Sequence, residues 1–275
     1  MNFIYYNHAY LHEIQEKPIN DKLSFNQIRN IVKGGRWALF ACYITAFDVN
    51  NPTQWWFTVK DEEYNLSTLQ AKKRYEVTKA RKFCETKEIN PLNYLDELFD
   101  CYKESFTAYS KRFGVREIIY ADFVKYINSL LDEDCNKFYA TYFKETGQLI
   151  GFLIITLKDN IIYLKQQKTN PLFEKYNSNA ALIDFVLTQY NDSLKAKSVM
   201  ISNGSRNIRH ETNFNAYLEK YFGFRKAYAK LRIVYRFPFG IIVKLLKPFR
   251  KLFKQTHNPL LYNLYCIIKM DSYQA

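Results

Sequence analysis

Residues 205–226 hold the densest group of side chains that could act on an anionic or acylated substrate. The stretch reads SRNIRHETNFNAYLEKYFGFRK, with Arg206, Asn207 and Arg209 before a short helix and Arg225 after it. Arginine forms paired hydrogen bonds with phosphate and carboxylate groups. These four residues are predicted to bind a phosphate-bearing substrate. The alternative is that the first two arginines are solvated and the last one offsets the dipole of the helix C-terminus.

His210 lies in the same turn as these arginines. An imidazole titrates near neutral pH, so His210 is the candidate catalytic base, with a capping or hydrogen-bonding role as the alternative. His8 and His12 are spaced four apart, but no third ligand lies near them in the sequence. No metal site is therefore predicted.

Length and composition indicate a folded protein. The chain has 275 residues, of which 48% are hydrophobic, with only 8 Gly and 7 Pro, which excludes a disordered or collagenous chain. Its five cysteines form no C-x-x-C pair, which favours a reduced, cytoplasmic compartment. The N-terminus has no signal-peptide pattern, and no run of 18 apolar residues occurs. The chain is expected to be neither secreted nor membrane-spanning.

The positive charge is concentrated near the C-terminus. Residues 1–219 hold 28 of the 40 Lys and Arg and 26 of the 27 Asp and Glu, whereas residues 220–270 hold 12 basic residues and no acidic one. A near-neutral body with a basic end predicts an anionic partner at that end.

The segment GIIVKLLKPFRKLFKQ divides into an apolar and a basic arc on a helical wheel. The apolar arc consists of Ile241, Ile242, Leu245, Leu246, Phe249, Leu252 and Phe253. Pro248 predicts two short helices with a bend between them. Residues 241–254 are predicted to lie on an anionic membrane surface, at the inner face of the membrane. The equally weighted alternative is that the apolar arc packs on the core of the protein.

Periodicity predicts the order of the elements. A basic helix is expected at 68–84, followed by helices at about 91–112 and 120–131. The sequence KFYATYFKETGQLIGFLIITLKDNIIYLKQQKT then changes to a period of two and predicts an antiparallel meander of three strands. Next come a helix capped by Ser178 or Asn179, a strand, a helix that stops at Gly223-Phe224, and a last strand.

This order resembles the GNAT acyltransferase fold, and more closely its FemAB-like branch, which transfers amino acids onto peptidoglycan precursors. The resemblance covers about residues 65–236 and rests on the basic helix KKRYEVTKARKF, the meander, the helix KYNSNAALIDFVL and the terminal YLEKYFGFRKAY. It implies an α+β fold with a mixed, largely antiparallel sheet flanked by helices and a smaller N-terminal α+β part. The implied regions are 1–90, the acyltransferase domain 91–237 and the basic segment 238–275.

The resemblance implies an N-acyltransferase. Its small-molecule donor would be an acyl-CoA such as acetyl-CoA, or its donor would be an aminoacyl-tRNA, and the acceptor an amine of a cell-envelope saccharide or peptide precursor. The implied donor-binding loop is Lys175, Tyr176, Asn177, Ser178 and Asn179. This loop lacks the glycines of the GNAT loop, so both donors stay open. The alternative function is a non-catalytic module of this fold that binds RNA or an anionic membrane.

Overall fold

The secondary structure is given by a computed structural model, which describes residues 1–32, 37–69, 71–113, 118–209, 213–254 and 258–274. Its strands are β1 (Phe3–Tyr6), β2 (Ala9–His12), β3 (Phe40–Phe47), β4 (Trp55–Lys60), β5 (Cys84–Glu88), β6 (Asn136–Phe143), β7 (Leu149–Lys158), β8 (Ile161–Thr169), β9 (Met200–Ser205) and β10 (Arg225–Tyr235). Its α-helices are α1 (Phe25–Ile31), α2 (Ala71–Phe83), α3 (Leu95–Phe113), α4 (Tyr120–Leu131), α5 (Ser178–Gln189), α6 (Asn191–Lys195), α7 (Phe214–Phe222), α8 (Phe239–Leu246), α9 (Arg250–Lys254) and α10 (Pro259–Asp271). Short 3₁₀ turns cover Leu66–Thr68, Pro91–Tyr94, Pro171–Tyr176 and Lys247–Phe249.

The chain forms two compact units, each assembled from separate segments. Unit 1 contains residues 1–58, 204–213 and 226–275, and unit 2 contains residues 59–203 and 214–225. Unit 1 therefore gathers the N-terminal strands with the C-terminal helices, whereas unit 2 holds the meander. The division into 1–90, 91–237 and 238–275 stays a prediction about functional regions.

Unit 2 is built on the strand order β9-β8-β7-β6-β5. The pairs β5–β6, β6–β7 and β7–β8 are antiparallel, and β8–β9 is parallel. Residues of β7 alternate between two cores: Phe152 and Ile154 pack with α3 and α4, whereas Leu153 and Ile155 pack with α5. Each buried side chain of this kind contributes about 1.5–3 kcal/mol. The predicted meander and the α+β class, with a mixed, largely antiparallel sheet flanked by helices, are confirmed.

Helix α5 begins one residue before the predicted cap. Asn177 is the N-cap in a left-handed conformation with φ 60°, and Ser178 and Asn179 are the first two helical residues. The prediction of a cap at Ser178 or Asn179 was therefore wrong. The 3₁₀ turn Pro171–Tyr176 leads directly into the helix, and asparagine tolerates the left-handed residue that this junction requires.

The end of α7 follows the predicted Gly-Phe pattern. Gly223 has φ +69°, a conformation that L side chains rarely adopt. Phe224 follows with only 4% of its surface exposed, and its N–H donates to the carbonyl of Leu218 at 3.4 Å. The glycine thus ends the helix and directs Phe224 into the core that also contains Leu218 and Phe222.

Unit 1 contains a smaller sheet with mixed pairing. β1–β2 and β3–β10 are antiparallel, whereas β2–β3 is parallel. Helix α1 starts with the capping box of Ser24 and Gln27. The 3₁₀ turn Lys247–Phe249 separates α8 from α9, so the bend predicted from Pro248 is confirmed. Of the helices in the described ranges, none is both long and apolar enough to cross a bilayer.

The Phe224→Ala variant should lose about 3–5 kcal/mol of unfolding free energy, because the change leaves a cavity in the core of unit 2. The same substitution at Phe249, which is 55% exposed, should change stability by less than about 0.5 kcal/mol. Urea denaturation followed by circular dichroism measures both. Equal losses would contradict a core role for Phe224.

Candidate active site

Strand β8 parts from β9 after three residues. The parallel pairs are Ile161–Met200, Ile162–Ile201 and Tyr163–Ser202. β8 continues to Thr169, and its described register with β9 contains no later pair. Where two neighbouring strands part, the backbone N–H and C=O groups facing the gap can bind an extended ligand in the manner of an added strand.

A β-bulge lies where the two strands part. Ile154 of β7 pairs with Gln166 of β8, while Ile155 pairs with Leu164, so Lys165 is an extra residue. A bulge reverses the faces on which the following side chains lie. The strand becomes polar at the same point, since residues 165–169 read KQQKT.

Gln166 and Lys168 share the face of β8 that is covered by α3. The Lys168 Nζ lies 5.2 Å from the ring centre of Tyr102. Burial lowers the pKa of the Lys168 amine. The Gln166 Oε1 is buried and has no hydrogen-bond partner in the described part of the chain. A lysine whose pKa is lowered has a larger neutral fraction, which can accept a proton from an attacking amine.

The opposite face of β8 is tied to the start of α5. Gln167 Nε2 donates to Asn179 Oδ1 at 2.7 Å, and Thr169 Oγ1 donates to the same oxygen at 3.3 Å. Ser178 Oγ is buried and has no partner among the described residues. The structure thus brings two members of the predicted donor loop, Ser178 and Asn179, to the end of β8.

The other members of the predicted donor loop make mainly structural contacts. Tyr176 packs against Phe143, with ring centres 4.5 Å apart, and Asn177 Nδ2 donates to the Glu76 carbonyl at 3.2 Å. Lys175 is exposed, with its Nζ 5.0 Å from the Tyr176 ring centre. Its ammonium is therefore the accessible charge of this loop. Donor binding by Lys175, Tyr176 and Asn177 stays a prediction.

A buried carboxylate, that of Asp184, positions this side of unit 2. Arg81 donates to it twice, from Nε at 2.7 Å and from Nη2 at 2.8 Å, and Tyr64 Oη donates at 2.8 Å. Burial first, and the charge of Asp184 second, raise the pKa of Tyr64 well above its usual value. The hydroxyl therefore keeps its proton and its role as donor at neutral pH.

Helix α7 places a second buried tyrosine in unit 2. Tyr217 lies with its ring centre 5.1 Å from that of Tyr221. Burial, followed by the negative charge of Glu76, raises the pKa of Tyr217 above its usual range. Tyr217 is consequently a neutral hydroxyl that could donate a proton but not accept one at physiological pH.

Arg206, Asn207 and Arg209 line one cavity of about 650 Å³ in unit 1. This is within the size range of small-molecule sites. Arg206 Nη1 donates to the Gln54 carbonyl at 3.1 Å, and its guanidinium lies 4.9 Å from the ring centre of Tyr273. Arg209 Nε is buried and has no hydrogen-bond partner in the described ranges. The structure therefore brings the three predicted residues together, and His8 also lines the cavity.

Arg225 belongs to unit 2 and forms an ion pair. Its Nε donates to Asp61 Oδ1 at 3.0 Å, and its Nη2 donates to Asp61 Oδ2. Both residues line a second cavity of about 500 Å³. The charge of Arg225 is thus balanced by Asp61, and phosphate binding by Arg225 stays a prediction. His210, the candidate base, lies outside the described residues.

Metal ligands do not cluster in the part of the chain that the structure describes: no group of three His, Cys, Asp or Glu side chains there could hold an ion. The prediction of His8 and His12 on one helix face was wrong, because His8 lies in the turn after β1 and His12 ends β2. Burial lowers the pKa of His12. Gln166, Lys168 and Asp61 were missed by the reasoning from sequence, although the polar run KQQKT marks the first two.

Comparison with known proteins gives neighbours in fold only. No protein-family model and no curated protein matches the chain. Similar solved structures include FemX, with 9% identity and a TM-score of 0.49, covering 70% of this chain and 63% of that one. The DUF2156 domain of a putative lysylphosphatidylglycerol synthetase from Agrobacterium fabrum has 10% identity and a TM-score of 0.49, covering 88% and 82%. L-PGS from Bacillus licheniformis has 12% identity and a TM-score of 0.47, covering 92% and 85%.

The chain thus spans less than two thirds of the length of FemX. The Fem-type neighbour agrees with the resemblance expected from the sequence. Because these TM-scores lie below 0.5, the function proposed below takes its support from the side chains and strand pairing of this chain.

The Asp184→Asn variant should lose about 1–3 kcal/mol of unfolding free energy, because the half-exposed Arg81 loses its charged partner while Tyr64 keeps an acceptor. Urea denaturation at pH 7 measures the loss. Asp132→Asn, at an exposed carboxylate, is the matched control and should stay within about 0.5 kcal/mol. A loss no larger than that of the control would show that the pair does not hold α2 against α5.

Proposed function

We propose that this chain is an N-acyltransferase that moves an acyl or aminoacyl group from an activated ester or thioester to an amine. The observation that supports this most is the parting of β8 from β9 beside the bulge at Lys165. Backbone groups along the gap are suited to bind the extended arm of a donor, and the polar end of β8 follows directly.

The proposed reaction needs little from the protein beyond positioning and proton transfer. The amine nitrogen attacks the carbonyl carbon, the carbonyl oxygen becomes an oxyanion, and the thiol or hydroxyl of the donor leaves as the carbonyl re-forms. Gln166 can supply side-chain N–H groups to the oxyanion. Neutral Lys168 can take the proton that the amine loses.

For the donor we propose aminoacyl-tRNA or acyl-CoA, and the exposed charge around α2 favours the larger polyanion. Helix α2 and the donor loop carry these exposed cations: Lys72, Arg74, Arg81, Lys82 and Lys175. Several cations spread over such a surface suit a polyanion longer than one pyrophosphate. The acceptor that we propose, an amine of a cell-envelope saccharide or peptide precursor, follows from the sequence resemblance.

The first experiment is a transfer assay with acetyl-CoA, longer acyl-CoAs and tRNA charged with lysine or other amino acids, using amine acceptors from cell-envelope extracts. Gln166→Ala should lower kcat/KM about tenfold or more, because it removes an oxyanion donor. Gln148→Ala, an exposed glutamine in the turn before β7, should leave kcat/KM unchanged. An unchanged rate for Gln166→Ala would rule out that residue.

The donor class follows from the salt dependence of binding. A tRNA donor should lose affinity steeply with salt, since several phosphates are neutralised, whereas acyl-CoA should show a shallow slope. Failure of every donor to react, with RNA binding retained, would replace the enzyme by the alternative, a non-catalytic RNA-binding module.

The pH dependence of kcat/KM tests Lys168. Its folded pKa is lowered, so the neutral form becomes dominant as pH rises through that lowered value, and the rate should rise there. Lys168→Met and Lys168→Arg should both lose this rise, because neither variant offers a neutral amine. A rise that persists in both variants would assign the base to another group.

The stability of the protein should change with pH in the same direction. Unfolded Lys168 binds its proton up to a pKa of about 10.4, above its folded value, so unfolding takes up a proton between these pH values. Unfolding free energy of the wild type relative to Lys168→Met should therefore increase with pH in that window. A flat difference in urea denaturation would contradict the lowered pKa.

A further inference from the structure

Unit 1 presents exposed apolar side chains on its C-terminal helices. They form what we call the apolar surface: Ile241, Ile242, Leu245, Phe249, Leu252 and Leu260. The exposed fraction runs from 43% for Ile242 to 77% for Leu260. Helix α10 packs against both α8 and α9, so these side chains belong to one small group of helices. A large exposed apolar area on a folded protein marks a site of interaction.

The inward sides of the same helices are occupied by other residues. Val243 and Ile268 are fully buried. Lys247 Nζ lies 2.9 Å from Asp271 Oδ2, and Arg250 Nη1 donates to Ser272 Oγ at 3.2 Å. These contacts turn the apolar arc outward. The alternative that the arc packs on the protein's own core is therefore wrong for five of its seven residues.

The charge next to the apolar surface is of one sign. Lys244, Lys251 and Lys254 are exposed on α8 and α9. No acidic residue occurs from 220 to 270, and Asp271 is buried and paired with Lys247. Apolar side chains bordered by lysines are typical of helices that lie in the interface of an anionic bilayer. An acidic protein would match the lysines but would leave the protruding leucines and phenylalanine without an acyl phase.

We infer that unit 1 docks on an anionic lipid bilayer through the apolar surface. The leucine, isoleucine and phenylalanine side chains enter the boundary of the acyl chains, and the lysines lie among the lipid phosphates. Phe239, Leu260 and Leu261 also line the cavity of about 650 Å³. Docking therefore brings one wall of this cavity to the lipid surface. The inference does not depend on acyl transfer, since it concerns binding alone.

Sedimentation with vesicles tests the inference. The full chain is mixed with phosphatidylcholine vesicles that contain either no anionic lipid or 25% phosphatidylglycerol, on the order of a cytoplasmic leaflet's surface charge. Binding is expected to the anionic vesicles, and it should weaken as salt is raised. Absence of binding at low salt, or equal binding to neutral vesicles, would overturn the inference.

Two double variants separate the apolar from the electrostatic contribution. Leu245→Gln with Leu252→Gln should weaken binding at least about tenfold, because two side chains no longer enter the acyl boundary. Lys251→Glu with Lys254→Glu should weaken binding to anionic vesicles by about 25-fold or more, on the basis of about fivefold for each lysine near the surface.

Matched controls place the same changes elsewhere. Leu172→Gln alters a leucine that is 75% exposed in unit 2, and Lys22→Glu with Lys125→Glu changes the net charge by the same amount at exposed sites. Both controls should bind as the wild type does. Equal losses in control and test variants would overturn the inference.

Sedimentation velocity distinguishes a bilayer from a second copy of the chain. The wild type should behave as a monomer in the absence of lipid. A dimer that Leu245→Gln with Leu252→Gln converts to a monomer, together with no vesicle binding, would assign the apolar surface to self-association and overturn the inference.

Discussion

Unit 2 depends on the pairing of one buried carboxylate. Helix α5 is buried on nearly all sides, so a charge within it is unfavourable unless donors surround it. Arg81 of α2 and Tyr64 supply those donors to Asp184. The basic helix is consequently fixed against α5 by directed hydrogen bonds. Since α5 starts beside the end of β8, the same contacts hold the candidate donor loop in place.

The extra residue Lys165 decides which side chains reach which face of the sheet. Leu164, before the bulge, packs with the core around α5. Strict alternation would place Gln166 and Lys168 on that same face. With the bulge they lie towards α3, and Gln167 reaches Asn179 instead. One inserted residue thus separates a polar, titratable face from the face that anchors the helix.

Hydrophobic periodicity predicted most elements of the fold, including the meander and the helix end at Gly223-Phe224, because those features are set by local pattern and turn chemistry. The bulge left no mark in composition, and the cap of α5 moved because a 3₁₀ turn precedes it. The site was harder to predict. Arg225 is paired with Asp61, which is 164 residues away, and a charge balance over that distance is fixed only by the packed structure.

Strand β5 ends the sheet of unit 2 and reads CETKE. Its charged side chains lie in the solvent: Glu85, Lys87 and Glu88 are exposed, and Glu88 forms an ion pair with Lys137 at 3.4 Å. A short edge strand with exposed charges is a poor template for a strand from another molecule. The sheet is therefore protected from growth by edge-to-edge aggregation, and a folded protein that is half hydrophobic can stay dispersed at this boundary.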